Sequence, residues 1–395
     1  MKKTLDKLKV MVVMGTRPEV IKMAPVIQSL QQHPDQFQTI VVATAQHRGL
    51  LDQALSIFRI QPDLDLNLMN TGQGLPDLTG RVLSSMAQTL SKTKPDMVMV
   101  QGDTTTVLAT ALAAFYQKIP VAHIEAGLRT YHKYSPFPEE MNRRLTSVMA
   151  DVHFAPTLSA KHALLKEGIS DSTIVVTGNT VVDALLHVCE LPEPLGHPVL
   201  STLDFDQYRL LLVTSHRRES WGLELQNICM AIKEIVEKYP DVLVVYPVHP
   251  NPVVQSTAMD ILGGMERIKL VEPLDYLTFI HLMKKSYMIL TDSGGLQEEA
   301  PTLKKPLLLL REVTERPEAF DSGFAKIVGT NHQNIVKETE FLLNDRNAYE
   351  KMIRGDNPYG DGKAGHRIVQ ALCHWGKRAA PLLSSEEEFT FSLKN

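Results

Sequence analysis

The sequence has few cysteines, no long apolar run and little net charge. Its three cysteines in 395 residues lie far apart with no CxxC pair, which argues against a disulfide framework or a structural zinc site. No apolar run approaches the roughly 18 residues that span a bilayer. The 41 Lys and Arg nearly balance the 45 Asp and Glu, so no field of one sign points to nucleic acid or an anionic membrane. These absences favour a cytoplasmic globular protein.

The GxGxxG fingerprint of dinucleotide-binding domains is also missing, which counts against a dehydrogenase. Short runs of Val, Ile and Leu instead alternate with longer amphipathic stretches. They predict strands at 9–14, 39–43, 97–100, 121–124, 152–155 and 174–176, and again at 210–214, 242–247, 268–271, 288–291, 306–310 and 326–328. Strands that are wholly apolar and separated by helix-length gaps indicate βαβ units and parallel sheets covered on both faces.

We predict two doubly wound α/β domains, because a 44% hydrophobic content over this length suffices for two cores. The proline-dense segment 191–198 separates the two sets of strands. The predicted boundaries are 1–190 for an amino-terminal domain, 199–363 for a carboxyl-terminal domain, and 364–395 for a last helix and a mobile tail. Two such domains are expected to leave a cleft in which a ligand with two different halves would bind.

Acidic residues follow two of the predicted strands in the first half. Asp103 lies just beyond one strand and Glu125 directly after the next, and Glu139 follows in PFPEEMNRR. The carboxyl edge of a parallel sheet is where chemistry is done, and carboxylates gathered there can share proton transfer. This pattern predicts an enzyme. His123 and Glu125 also share one strand face and could chelate a metal, although the spacing suggests no third ligand.

Two strand-to-helix turns are candidates for anion binding. In the first, Arg17 of Gly15-Thr-Arg-Pro-Glu19 either reaches a phosphate or is a solvated arginine in a well-capped turn. In the second, Ser293, Gly294 and Gly295 expose backbone N–H groups at a helix start, which suits a diphosphate.

Charged residues flank the second turn. Glu298 and Glu299 either complement the helix dipole or accept hydrogen bonds from ribose hydroxyls. His216 follows another strand beside two arginines, which favours a phosphate-facing role. Arg311 and Arg316 add cationic reach.

Nine motifs occur in the order found in one family. They are GTRPE, QGDT, HIEAGLRT, PFPEEMNRR, SHRRE, PVHPNP, DSGGLQEEAP, TERPE and GDNPYGDGKA. From Lys9 to about Arg378 the chain resembles the non-hydrolysing UDP-N-acetylglucosamine 2-epimerases. The resemblance implies two Rossmann-like domains of the glycosyltransferase-B type with the active site in the interdomain cleft. It also implies interconversion of UDP-N-acetylglucosamine and UDP-N-acetylmannosamine, without metal or nicotinamide, by elimination of UDP and readdition to 2-acetamidoglucal.

Roles for individual residues follow from the motif match. The acid–base cluster would be Asp103, Glu125 and Glu139, without a decision as to which removes the proton. The groups that stabilise the diphosphate or sugar would be Arg17, Lys22, Arg143 and His216. The groups that bind UDP would be Ser293, Gly294, Gly295, Glu299 and Arg316, with Tyr276 either near uracil or a core aromatic.

Many bacterial relatives bind a second UDP-N-acetylglucosamine as an activator, and Gln46, Arg217 and His249 match residues implicated there. Gly49 and Leu50 replace the usual polar residue and methionine, a departure that bears on activator binding. The family tends to form homodimers, and its product commonly feeds cell-surface polysaccharide synthesis.

Three other enzymes and one binding protein remain as alternatives. A relative of the same family could act on another UDP sugar, such as a 2,3-diacetamido uronic acid derivative. A hydrolysing relative would release UDP and N-acetylmannosamine. A glycosyltransferase of this fold would need an acceptor, and the acids in the first domain favour proton abstraction instead. A sugar-nucleotide sensor would have no need of three clustered carboxylates.

Overall fold

The computed structural model describes residues 7–44, 48–68, 74–194, 196–215, 217 and 221–391. The chain forms two compact units. Unit 1 comprises Met1–Leu186 and Tyr359–Phe391, and unit 2 comprises His187–Pro358. The chain therefore leaves unit 1 once and returns to it at Tyr359.

Unit 1 is built on a parallel sheet with the strand order β3-β2-β1-β4-β5-β6-β7. Its strands are β1 (Leu8–Met14), β2 (Phe37–Ala43), β3 (Leu64–Asp65), β4 (Met97–Gln101), β5 (Val121–Ile124), β6 (Val152–Ala155) and β7 (Ile174–Val176). All residues of the central strands β4, β5 and β6 are buried, as expected for strands covered on both faces, and so are those of the edge strand β7.

The helices of unit 1 cover this sheet. They are α1 (Arg17–Gln31), α2 (Arg48–Ile57), α3 (Leu75–Thr93), α4 (Thr105–Tyr116), α5 (Glu139–Met149), α6 (Leu158–Lys166), α7 (Thr180–Glu190, whose last residues belong to unit 2) and α15 (Ala364–Gly376). Helix α4 buries four alanines completely, and their small side chains let this helix pack closely against both α3 and α5.

Unit 2 has a second parallel sheet with the order β10-β9-β8-β11-β12-β13. Its strands are β8 (Arg209–Thr214), β9 (Val242–Pro247), β10 (Ile268–Val271), β11 (Met288–Thr291), β12 (Leu307–Leu309) and β13 (Ala325–Ile327). Its helices are α8 (Leu223–Lys238), α9 (Pro252–Leu262), α10 (Tyr276–Lys285), α11 (Gly294–Glu299), α12 (Glu318–Asp321), α13 (His332–Asn344) and α14 (Arg346–Met352).

The predicted fold class is confirmed, and every predicted strand is present with its ends within two residues of the prediction. The prediction missed β3, which has only two residues, one half-buried and one exposed, and therefore no apolar run. Among the helices that the structure describes, none has the length and apolar character needed to cross a membrane.

The segment after Tyr359 packs on unit 1. Helix α15 lies against α1, and a Cβ on Gly365 would approach the Pro25 carbonyl oxygen to 3.0 Å. Asp183 of α7 accepts the N–H groups of Ala364 at 3.2 Å and Gly365 at 2.8 Å, which caps α15. The N–H of Phe389 donates to the Val176 carbonyl at 2.8 Å, within the segment for which the sequence predicts a mobile tail.

Candidate active site

Each sheet contains one point at which the strand order reverses. In unit 1, β1 lies beside β4 although β2 and β3 separate them in sequence, and in unit 2, β8 lies beside β11. Parallel sheets bind ligands beyond the carboxyl ends of the strands at such points, because the loops there diverge and leave a crevice. The loops that follow β1, β4 and β5, and those that follow β8 and β11, therefore form two candidate constellations.

Glu19 joins the two loops at the reversal point of unit 1. It is 1% exposed, and its carboxylate accepts the N–H groups of Gly15 at 2.9 Å and Thr16 at 2.6 Å. The Thr104 hydroxyl, from the loop after β4, donates to the same carboxylate at 2.8 Å. Burial raises the pKa of Glu19, and these hydrogen bonds oppose the rise. Arg17, the first residue of α1, is half-buried beside this turn.

Asp103 forms an ion pair with Arg143 of α5. The distance from Arg143 Nη2 to Asp103 Oδ2 is 2.9 Å, and the Asn142 amide donates to the Asp103 carbonyl at 2.8 Å. Burial raises the pKa of Asp103 from 3.8 to about 6, with Arg143 lowering it and the charges of Glu125 and Glu139 raising it. Asp103 therefore changes protonation near neutral pH, as a group that exchanges protons with a substrate should.

Glu125 is held in a fixed position by several donors. Its φ of 62° lies in the left-handed region, which is uncommon for residues other than glycine and occurs at functional sites. Lys22 of α1 forms an ion pair with Oε1, and Asn179 donates to the same oxygen at 3.0 Å. Gln101, the last residue of β4, donates to Oε2 at 2.6 Å. Donors from three parts of unit 1 thus converge on one carboxylate.

The two neighbouring acids at the start of α5 differ in their surroundings. Glu140 is fully buried and accepts the N–H groups of Thr130 and Tyr131, both at 3.0 Å. This carboxylate fixes the preceding loop. Glu139 is half-buried, and its charge contributes to the raised pKa of Asp103, so it belongs to the cluster electrostatically.

His123 has a structural contact. Its ring is fully buried, and Nε2 bonds to the Gly102 carbonyl at 2.7 Å, next to Asp103. Burial lowers its pKa to about 3, so the ring is neutral and Nε2–H donates to the carbonyl. Within the described residues, no group of three or more His, Cys, Asp or Glu side chains is arranged to hold a metal ion.

Asp292 lies at the reversal point of unit 2, and its role there is the same as that of Glu19 at the reversal point of unit 1. It is fully buried, accepts the Ser215 hydroxyl at 3.1 Å and accepts the Arg217 N–H at 2.9 Å. Thr214 and Thr291, the last residues of β8 and β11, share a hydrogen bond of 2.6 Å. Each sheet thus uses one buried carboxylate to tie together the loops on either side of its reversal point.

The turn after β11 combines glycines with a buried arginine. Nothing lies within 4 Å of a Cβ built on Gly295, whereas a Cβ on Gly294 would meet Arg316 Nη1 at 2.6 Å. Arg316 donates to Glu298 at 2.6 Å and pairs with Glu315. Burial raises the pKa of Glu315, but nearby arginines lower it more, to about 2. An arginine held by two carboxylates therefore lies directly against the first glycine of the turn.

Glu299 and Tyr276 contact each other. Both are buried, and the Tyr276 hydroxyl donates to Glu299 Oε1 at 2.8 Å. Tyr276 begins α10, where Asp275 caps the helix by accepting the Thr278 N–H at 3.0 Å. The residues predicted to bind ribose and uracil are therefore neighbours in unit 2.

Comparison with known proteins identifies the family. The sequence matches the family model described as UDP-N-acetylglucosamine 2-epimerase over residues 28–373. It is 51% identical over 372 residues to the UDP-N-acetylglucosamine 2-epimerase of Salmonella typhimurium, covering 92% of this chain and 98% of the relative. The chain belongs to the UDP-N-acetylglucosamine 2-epimerase family. Proteins of this name are isomerases.

Solved structures of the UDP-N-acetylglucosamine 2-epimerase family share the fold. The Neisseria meningitidis enzyme bound to UDP-GlcNAc superposes with a TM-score of 0.88 at 49% identity, covering 92% of this chain and 99% of that one. An S. aureus protein in a co-structure with UDP gives a TM-score of 0.89 at 45% identity, covering 97% and 100%.

Two predicted site residues of this epimerase-family chain, Gln46 and His216, lie outside the described residues. Of the other two residues matched to the activator site, His249 is half-buried and accepts the Asn251 N–H through Nδ1 at 3.2 Å. Arg217 lies 3.9 Å from Glu315. Gly49 is exposed.

Sequence reasoning missed four residues of the constellations in this epimerase-family chain. Gln101 and Asn179 contact Glu125, and Glu19 and Asp292 tie the loops together. Gln101, Glu19 and Asp292 lie within the motifs QGDT, GTRPE and DSGGLQEEAP, so the sequence carried a signal for these three residues. Asn179 carries no such signal, because it is 54 residues from Glu125 in sequence.

Proposed function

We propose that this protein interconverts UDP-N-acetylglucosamine and UDP-N-acetylmannosamine. A base removes the proton from carbon 2 of the sugar while the bond from carbon 1 to the diphosphate oxygen breaks, which gives 2-acetamidoglucal and UDP. UDP then adds back to carbon 1 as a proton is delivered to the opposite face of carbon 2. The observation that carries the proposal is the Asp103–Arg143 pair beside Glu125 at the reversal point of unit 1.

Inversion at carbon 2 requires proton removal from one face and delivery to the other, so two groups must exchange protons. Asp103 suits one role, because its pKa of about 6 allows it to accept and release a proton near neutral pH. Glu139, half-buried at the start of α5 and electrostatically coupled to Asp103, is our candidate for the second role.

Glu125 suits a different task. Its carboxylate is 8% exposed and engaged by Lys22, Gln101 and Asn179, so a proton carried by it would displace charge-assisted hydrogen bonds. We assign it the fixed negative charge that orients Lys22 and raises the pKa of Asp103. Lys22 and Arg143 in turn offset negative charge that develops in the sugar during elimination.

Binding of UDP is assigned to unit 2. Gly294 and Gly295 are assigned to the diphosphate through their backbone N–H groups, with the Arg316 guanidinium behind Gly294. Ser293, whose own N–H donates to the Thr291 hydroxyl at 2.9 Å, is assigned to the diphosphate through its side-chain hydroxyl. Glu299 and Tyr276 are assigned to the ribose and uracil. Two further cations, Arg17 and His216, are assigned to the diphosphate from the motif match. The names of the solved relatives, one bound to UDP-GlcNAc and one to UDP, support this assignment.

Three finer proposals concern partners and location. We propose an activator site for a second UDP-N-acetylglucosamine at Gln46, Arg217 and His249, which sigmoidal kinetics would reveal.

We propose a homodimer that forms through α4 and α5. Tyr116 on α4 is 67% exposed and Val148 on α5 is 78% exposed, although both are large hydrophobic side chains. Val148→Asp should therefore yield monomers in light scattering.

We propose a cytoplasmic location, because a charged nucleotide sugar does not cross a bilayer unaided. The product would serve surface polysaccharide synthesis.

Proton NMR in deuterated water tests the reaction. The protein is incubated with UDP-N-acetylglucosamine, with a chelator and without nicotinamide. Formation of UDP-N-acetylmannosamine carrying deuterium at carbon 2, with little free UDP, is expected. Accumulation of UDP and free N-acetylmannosamine would replace the proposal with a hydrolysing reaction. No conversion would refute it and direct the assay to other UDP sugars.

A further inference from the structure

Asn179 connects the acid–base cluster to the point at which the chain returns to unit 1. The residue lies between β7 and α7 and is 2% exposed. Its side-chain amide donates to Glu125 Oε1 at 3.0 Å. Its backbone N–H donates to the carbonyl of Tyr359, the first residue of the returning segment, at 2.6 Å.

The orientation of the Asn179 amide is determined by a second contact. Its Oδ1 accepts the Val181 N–H at 3.0 Å, in the first turn of α7. A backbone N–H requires an acceptor, so the amide oxygen must face the helix and the amide nitrogen must face Glu125. The hydrogen-bond network therefore fixes which end of the amide meets the carboxylate.

Two glycines lie where the Asn179 loop meets the returning segment. A Cβ on Gly178 would lie 3.3 Å from the Cα of Gly360, and a Cβ on Gly360 would lie 3.4 Å from both N and O of Asn179. An added Cβ would therefore be at or just below ordinary contact distance, and the two glycines let the two segments approach closely. This close approach lets the Asn179 N–H reach the Tyr359 carbonyl.

We propose that Asn179 is a positioning residue of the reaction, which holds the Glu125 carboxylate in the orientation used by Lys22 and Asp103. The inference rests on the proposed function. Glu125 adopts a left-handed backbone conformation, which persists only where surrounding contacts hold the residue. Asn179 supplies a donor whose own position is fixed by α7 and by the returning segment.

The variant Asn179→Asp separates positioning from helix capping. An aspartate keeps the acceptor oxygen that caps α7 and keeps the side-chain size, but it removes the donor that faces Glu125 and adds a like charge. We expect kcat at pH 8 to fall about a hundredfold, the effect of losing a charge-assisted hydrogen bond and gaining repulsion, with KM and UDP affinity within about threefold.

The pH dependence of Asn179→Asp gives a readout that a purely structural role would not move. At lower pH the introduced carboxyl is protonated and can again donate to Glu125, so the deficit relative to the parent should narrow between pH 8 and pH 6. Asn179→Ser, which can cap α7 but adds no charge, should show a smaller, pH-independent loss of about tenfold.

Thr177→Val is the matched control. Thr177 is equally buried in the same loop, and its hydroxyl donates to the Gly178 carbonyl at 2.8 Å, so its loss perturbs the loop without removing a donor to Glu125. Its kcat should stay within about threefold of the parent even where melting temperature falls. A kcat of Asn179→Asp within threefold of the parent, or a deficit equal at both pH values, would overturn the proposal.

Failure of the proposed function has a different signature. In that case the parent itself would not convert UDP-N-acetylglucosamine. The hydrogen bond would then be tested in protein labelled with 15N-asparagine, by following the Asn179 side-chain amide. Its signals should move in Glu125→Gln and stay in place in Asp77→Ala, an exposed change on α3. Unmoved signals in Glu125→Gln would overturn the positioning role.

Discussion

Asp103 is expected to lower the stability of the folded protein at neutral pH, and Asp103→Asn is expected to restore it. The pKa of Asp103 is raised from 3.8 to about 6, so between these values the folded protein holds a proton that the unfolded chain has released. Stability therefore falls as pH rises from about 4 to 6, and the whole cost is present above pH 6. Below about pH 4 both states are protonated and the cost vanishes.

The magnitude follows from the shift. A rise from 3.8 to about 6 is about two pKa units, or about 3 kcal/mol. Because 29% of the Asp103 side chain is exposed, screening by solvent reduces this to about 1–2 kcal/mol. The attraction of Arg143 is already included in the shift, since it lowers the pKa and burial still prevails. For a unit of this size, the change corresponds to about 2–8 °C in melting temperature.

Calorimetry of the parent and Asp103→Asn at pH 8 and pH 5 tests this reasoning. The melting temperature of unit 1 should rise in the variant at pH 8, with a gain about half as large at pH 5. In parallel kcat should fall by about 10²–10⁴, because a proton-transfer group is lost. Asp77→Asn, an exposed change in the first turn of α3, should leave kcat unchanged and lower the melting temperature slightly at both pH values, because it removes a charge that favours the helix dipole. A lower melting temperature for Asp103→Asn at pH 8, or a gain equal at both pH values, would refute the argument.

Two further predictions concern the other charged groups and the glycine turn. Lys22→Met removes the cation paired with Glu125 and should lower kcat, measured by NMR, by about 10²-fold or more. The affinity for UDP, measured by calorimetry, should change little. An unchanged kcat would remove Lys22 from the cluster. Gly294→Ala places a Cβ 2.6 Å from Arg316 Nη1 and should weaken UDP binding at least about tenfold. Gly295→Ala is the steric comparison, because open space surrounds its Cβ. Equal UDP affinities in the parent and Gly294→Ala would contradict the assignment of this turn.

Local sequence determined the strands of this protein, because strands covered on both faces are mostly apolar. The predicted run 97–100 is wholly buried, and so is Val121–Ile124, whose polar residue His123 bonds to a backbone carbonyl. Sequence also located Asp103 and Glu125 at strand ends, since a strand end is a local feature. That the two acids lie at one sheet edge followed from the general geometry of parallel sheets.

Tertiary structure alone decided which side chains support those acids. Asn179 reaches Glu125 across 54 residues of sequence, and Arg143 reaches Asp103 from α5, with one helix and one strand between them. The return of the chain at Tyr359, with α15 packed on α1, is likewise a product of surface complementarity between distant segments. Local composition encodes burial and backbone conformation, whereas these contacts depend on strand order and helix packing, which many residues specify together. The same reason explains why the pKa of Asp103 could not be inferred from its motif: the shift comes from burial and from charges that only folding brings close.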